Sequence, residues 1–112
     1  MFKKSGWIFI DKPIGLTSNS LLQKVRLNLG KVKAGFVGTL DPLASGYLPI
    51  AVGQATKVIN LAEKVNKEYI FTICWGKQTD TGDLEGKIIN ENFFFPSYND
   101  IQNILPNFIG NI

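Results

Sequence analysis

Between Ala34 and Gly46 the chain reads Ala-Gly-Phe-Val-Gly-Thr-Leu-Asp-Pro-Leu-Ala-Ser-Gly, with three glycines and one proline in thirteen residues. Proline has no backbone N–H to give to a ladder, and glycine weakens helix and strand alike, so no regular helix or central strand is expected here. A structured loop is expected instead, with the regular elements on either side of it. On the N-terminal side, Trp7-Ile8-Phe9-Ile10 reads as a strand and Asp11-Lys12-Pro13-Ile14-Gly15 as a turn. Thr17 or Ser18 then caps a helix whose Leu21, Leu22, Val25 and Leu29 share one face, and Gly30 stands at its left-handed C-terminal position.

Beyond the loop, Tyr47 to Val52 reads as a strand and Gln54 to Lys64 as a short helix with Ala55, Val58, Ile59 and Ala62 inward. Lys67 to Trp75 reads as a long strand, with Tyr69, Phe71, Ile73 and Trp75 on one face and Ile70, Thr72 and Cys74 on the other. Gly76 to Gly86 is a polar turn region and Lys87 to Ile89 a returning strand, and Ser97-x-x-Asp100 reads as a capping box for a helix through Leu105. Strands and helices mixed in this order, with hairpin-like links and no internal repeat, predict an α+β fold. Its sheet should be mixed and largely antiparallel, with flanking helices.

With 112 residues, 45% hydrophobic and 12% aromatic, the chain has apolar material for one compact domain. No apolar run approaches the roughly 20 residues that cross a bilayer, and Met1-Phe2-Lys3-Lys4 leads into the first strand without a signal-peptide core. A soluble, cytoplasmic protein is expected. The absence of histidine and the single cysteine exclude a histidine-based catalytic triad and a Cys/His zinc site. Cys74, set between Ile73 and Trp75, is expected to be a small core residue in a reducing compartment.

The net charge of +3 is unevenly spread: residues 1 to 77 carry 11 Lys+Arg against 4 Asp+Glu, a net +7, and residues 78 to 112 carry 1 against 5, a net −4. Lys24, Arg26, Lys31 and Lys33 follow one another with no acid between them. Such a run is either a phosphate-contacting surface or a solvated helix face and loop, and composition does not separate the two.

Within the glycine-rich loop, Asp41 is a carboxylate placed where backbone crowding is low and a substrate can approach closely. Leu40 and Leu43 flank it and lower the local polarity, while a nucleophilic role requires the carboxylate to stay ionised. Asp-Pro is also a common turn opener, so the residues by themselves allow a purely structural reading.

Three ordered motifs bear on that choice. They are Asp11-Lys12-Pro13-x-Gly15-x-Thr17-Ser18, then Lys33-Ala34-Gly35-x-x-Gly38-Thr39-Leu40-Asp41-Pro42-Leu43-Ala44-Ser45-Gly46, then Leu48-Pro49-x-x-x-Gly53-x-Ala55-Thr56-Lys57. With Lys67-x-Tyr69 and Gly76-x-x-Thr79-Asp80-Thr81-x-Asp83-x-x-Gly86 following in order, the chain resembles the TruB family of tRNA pseudouridine synthases. The resemblance implies that residues 1 to 112 are the N-terminal part of a pseudouridine synthase catalytic domain. The rest of that domain and a C-terminal RNA-binding domain would lie outside the chain.

It implies an isomerase that converts the T-loop uridine of tRNA, position 55, to pseudouridine, with Asp41 as the nucleophile that assists cleavage of the N1–C1′ bond. Tyr69 maps to the family's active-site tyrosine, whose ring stacks on the flipped base. Phe36 stands where the family usually has histidine; it either fills the space left by the extruded base or packs in the core. Lys12 is placed on the substrate side, meeting a phosphate, or else supports the loop or is a solvated turn lysine. Lys24, Arg26, Lys31 and Lys33 become RNA phosphate contacts. No metal or other cofactor is implied, and the partner is the T-arm of tRNA, with no membrane and no protein partner. An open sheet edge would nevertheless be able to pair with a missing half or a second copy.

The isolated chain is expected to be inactive, since the family supplies a basic group and further walls from later sequence. Alternatives within reach of the same residues are a guide-RNA-dependent rRNA pseudouridine synthase and a non-catalytic RNA-binding remnant or tRNA-folding helper. Asp80, Asp83 and Glu85 suggest a cation site on paper, but with Gly82 and Gly86 they read more simply as a hairpin loop.

Overall fold

The computed structural model describes residues 4–111, which form two compact units divided between Glu68 and Tyr69. The first unit is a three-stranded sheet with one helix laid on it. Strand β1 (Gly6–Lys12) pairs antiparallel with β3 (Gly46–Val52), and β3 pairs antiparallel with β2 (Ala34–Phe36), in the spatial order β1-β3-β2. Helix α1 (Ser18–Asn28) crosses from β1 to β2, and a 3-10 turn (Gly53–Val58) runs into the short helix α2 (Ile59–Ala62). Helices with purely antiparallel pairing make the chain α+β, and the mixed sheet anticipated from the element order is antiparallel throughout the described residues.

Alternation explains how the sheet closes on the helix. In the register Ile8↔Ile50 and Ile10↔Leu48 the apolar side chains of β1 and β3 share one face. That face meets Leu22 and Val25 of α1, Leu29 at its C-cap and, from the β2 side, Ala34 and Phe36. Leu48, Ile50 and Val52 are buried there, each contributing about 1.5–3 kcal/mol of hydrophobic stabilisation. The opposite face carries Trp7, Phe9 and Tyr47, all exposed, with the rings of Phe9 and Tyr47 stacked at 5.6 Å. At its β2 end this face is covered by α2: a side chain at Gly35 would meet the Ile59 methyl at 2.9 Å, so glycine lets the helix lie close.

Thr17 caps α1, its Oγ1 accepting the Ser20 N–H at 3.0 Å. At the other end Gly30 is left-handed as expected, and Lys31 follows it at φ +62°. The Arg26 guanidinium closes over this turn, its Nε donating to the Val32 carbonyl at 3.0 Å and Nη1 to Gln23 Oε1 at 3.0 Å.

The second unit is slighter. Strands β4 (Lys77–Thr79) and β5 (Ile88–Glu91) form an antiparallel hairpin, followed by α3 (Tyr98–Ile104) and a 3-10 turn (Leu105–Phe108). The capping box is present in full: Ser97 Oγ accepts the Asp100 N–H, and Asp100 Oδ2 accepts the Ser97 N–H at 2.9 Å.

Three expectations are corrected here. Residues 66–74 hold no regular structure, because a strand exists only where a neighbouring strand takes up its N–H and C=O groups, and none among the described residues does so. Cys74, expected in the core, is accordingly exposed. The helix expected over Gln54 to Lys64 is split into a 3-10 turn and the short α2, and Val58 lies outward.

Candidate active site

The loop that carries Asp41 begins where β2 is forced to stop. Val37 N–H donates to the Pro49 carbonyl at 2.9 Å, but Pro49 has no N–H to return. A residue's N–H and C=O point to the same side of its strand, so the β2–β3 ladder loses its reciprocal bond at this pair. The chain leaves the sheet at the next residue, Gly38, at φ +69°, a conformation that favours glycine.

From there to Gly46 the loop is tied down at several points. Ser18, the first residue of α1 and only 3% exposed, reaches across to Leu40. Its Oγ accepts the Leu40 N–H at 3.0 Å and donates to the Leu40 carbonyl at 3.1 Å. Asp41 C=O accepts the Ala44 N–H at 2.9 Å, which closes an Asp-Pro turn, and Pro42 C=O accepts the Gly15 N–H at 2.7 Å. The dipeptide does open a turn, and that turn leaves the Asp41 side chain exposed.

Lys12 stands behind this arrangement rather than in front of it. The side chain is 0% exposed, and Nζ donates to Pro13 C=O at 2.9 Å and Leu16 C=O at 2.7 Å. The expectation of a phosphate contact is thereby corrected: an ammonium wrapped by carbonyls supports the turn whose Gly15 N–H holds Pro42. Phe36 points to the core face and packs against the Leu22, Ile50 and Val52 cluster.

Among the basic residues, Lys24, Lys31 and Lys33 are exposed, whereas Arg26 is half-buried and engaged with Val32 and Gln23. Two participants escaped the sequence reading. Ser18 reads in the sequence as a possible cap and as the last residue of a motif, with nothing to link it to Leu40. Lys67, which reads in the sequence as a strand start and a motif residue, has its ammonium beside the loop, 3.5 Å from where a Gly38 Cβ would stand.

Tyr69 opens the second unit and is 62% exposed. In that unit the acidic loop uses the carboxylates of Asp80 and Asp83 internally. Asp80 Oδ1 accepts the Lys87 N–H at 2.9 Å, and Asp83 Oδ1 accepts the Thr81 hydroxyl at 2.7 Å and the Glu85 N–H at 2.8 Å. The Thr81 hydroxyl, then the Glu85 N–H, hold the Asp83 carboxyl below its ordinary range. These bonds tie the Asp80 and Asp83 carboxylates to the hairpin, and no group of three potential metal ligands occurs among the described residues.

A family model described as TruB family pseudouridylate synthase (N terminal domain) matches residues 26–112. The chain belongs to the TruB family. Its relatives agree over nearly its whole length. It is 51% identical over 107 residues to tRNA pseudouridine synthase B of Ehrlichia ruminantium, covering 96% of this chain and 36% of that protein. Against the enzyme of the same name from Wolbachia pipientis it is 49% identical, covering 96% and 31%, and against that of a Caulobacter species 45%, covering 96% and 35%. The TruB-family chain thus spans about a third of the length of the curated relatives it matches. No helix among its described residues is long and apolar enough to cross a membrane.

Proposed function

We propose that the protein carrying this segment is a tRNA pseudouridine synthase that isomerises the T-loop uridine at position 55, with Asp41 as its nucleophile. The observation that carries the reading is an exposed carboxylate on a loop whose neighbouring backbone is held at Leu40, Pro42 and Ala44. A nucleophile is effective when it is accessible and its approach is fixed in advance. The relatives' common name, tRNA pseudouridine synthase B, supplies the reaction class.

In the isomerisation the N1–C1′ bond breaks, the base turns, and a C5–C1′ bond forms as the C5 proton leaves and N1 gains one. Atoms balance with no co-substrate. The Asp41 carboxylate assists the first cleavage, and Tyr69 provides a stacking face for the uridine drawn out of its loop, an interaction of about 1–3 kcal/mol. Phe36, from its place against the core, supports the strand that leads into the loop, and Lys12 supports the turn behind it. Lys24, Lys31 and Lys33 contact phosphates of the T-arm in the cytoplasm. Residues 1–112 are read as the N-terminal part of the catalytic domain, and alone they should not turn over, because a carboxylate without its enclosing walls lacks preorganised surroundings.

The test is Asp41→Asn in the full-length protein, with pseudouridine measured by mass spectrometry after chemical labelling. The amide keeps the shape and removes the nucleophile, so turnover should vanish while tRNA binding persists. Continued pseudouridine formation would refute Asp41.

A further inference from the structure

Asp41 follows Leu40, and both backbone polar groups of Leu40 are held by one hydroxyl, that of Ser18, from 22 positions earlier in the chain. The Leu40 N–H lies in the peptide plane between Thr39 and Leu40, and the Leu40 carbonyl lies in the plane between Leu40 and Asp41. A peptide unit is rigid and planar from one Cα to the next. Fixing the Leu40 oxygen therefore fixes the nitrogen and Cα of Asp41, and fixing the Leu40 N–H removes the remaining swivel on the other side. The Thr39 hydroxyl adds a longer contact to Ser18 Oγ at 3.5 Å.

Ser18 is itself anchored. It is the first residue of α1, whose N-terminus is capped by Thr17 and whose Leu22, one turn on, lies in the core. At 3% exposure its hydroxyl has little access to water, which would otherwise compete for both bonds. The Asp41 carbonyl is engaged by Ala44 on the far side. The Cα from which the carboxylate projects is thus bracketed, and the bracket on its N-terminal side is a single side-chain atom.

We propose that Ser18 is a positioning residue for Asp41: it sets the attack geometry of the carboxylate without touching substrate. The proposal rests on the reading of Asp41 as nucleophile. Removing the hydroxyl frees the Leu40 peptide planes while leaving the carboxylate, the core and the basic surface in place. A displacement of the order of 1 Å at a reacting group costs about 100-fold in rate.

The experiment compares wild type, Ser18→Ala, Ser18→Cys and Ser18→Thr in the full-length protein, reading single-turnover pseudouridine formation at saturating tRNA, tRNA affinity and thermal unfolding. Ser18→Ala should lose about 100-fold in the rate with Kd unchanged. Ser18→Cys, which keeps the volume but offers a poor donor and acceptor, should lose part of it. Ser18→Thr, which keeps the hydroxyl, should recover the rate. If Ser18→Ala does not fold, Ser18→Cys decides. A folded alanine or cysteine variant at the wild-type rate would overturn the proposal, and so would a loss seen only in Kd or one equal in Ser18→Thr. An inactive wild type would instead refute the assignment of the activity, so the two failures are distinct.

Discussion

Replacing Lys12 by methionine tests the most unusual side chain in the first unit. Lysine is almost never fully buried, yet Lys12 is 0% exposed and directs its ammonium at the carbonyls of Pro13 and Leu16, at 2.9 and 2.7 Å. Each hydrogen bond from a charged donor contributes about 1.5–3 kcal/mol, so roughly 3–6 kcal/mol of favourable interaction is removed. Against this, burying an ammonium costs several kcal/mol, and methionine of similar length avoids that cost. The two carbonyls are not deeply buried, since Pro13 is exposed and Leu16 half-buried, and water can satisfy part of what the ammonium held.

A net destabilisation of about 2 kcal/mol follows, equivalent to a Tm lowered by roughly 8–16 °C in a domain of this size. Thermal unfolding by circular dichroism, with hydrogen exchange at the Gly15 amide, measures both the loss and its path. The Gly15 amide should exchange faster, because the turn that aims it at Pro42 has lost its centre. A Lys12→Met variant as stable as the wild type, with Gly15 equally protected, would refute the claim that this ammonium holds the loop.

Neutralising Lys24, Lys31 and Lys33 together in the full-length protein should weaken tRNA binding and flatten its salt dependence by about 2–3 in the slope of log K against log salt. An unchanged slope in a titration would show these lysines to be only solvated. Arg26→Gln should instead lower the stability of α1, because the half-buried guanidinium holds the Val32 carbonyl; thermal unfolding reads this directly. The Ser97 N–H, then the Ser97 hydroxyl, hold the Asp100 carboxyl below its ordinary value of 3.8. That contribution to α3 is complete above the unfolded-state value and disappears as pH falls through the lower folded-state value. Helicity should therefore decline below about pH 4 in the wild type and not in Asp100→Asn, which keeps an acceptor but does not titrate.

Local signals were legible in the sequence and distant ones were not. The Thr17 cap, the left-handed Gly30 and the Ser97–Asp100 box each depend on residues within a few positions of one another, and each is present. The stretch from Lys67 to Trp75 alternates well, but alternation says only that a segment suits a sheet; it does not supply the adjacent strand. Cys74 failed with it. The motif marked the Asp41 loop, yet the Ser18–Leu40 bonds span 22 positions and carry no periodic trace. For Lys12, residue type argues for solvent, and only the carbonyls of its own turn make burial tolerable.

Pro49 has a wider consequence for the Asp41 loop. Continuing the register Phe36↔Ile50 would pair residue 37 with 49, 38 with 48, 39 with 47 and 40 with 46. That sequence of pairs describes a longer β-hairpin, in which Thr39 and Tyr47 would form the next hydrogen-bonded pair and the Asp41 turn would become the tip of a ladder. A proline at the first of those pairs removes one of the two hydrogen bonds that would close it and so weakens the start of any extension. One missing hydrogen atom thus acts as a zipper stop, keeping the Asp41 loop from being absorbed by the neighbouring sheet.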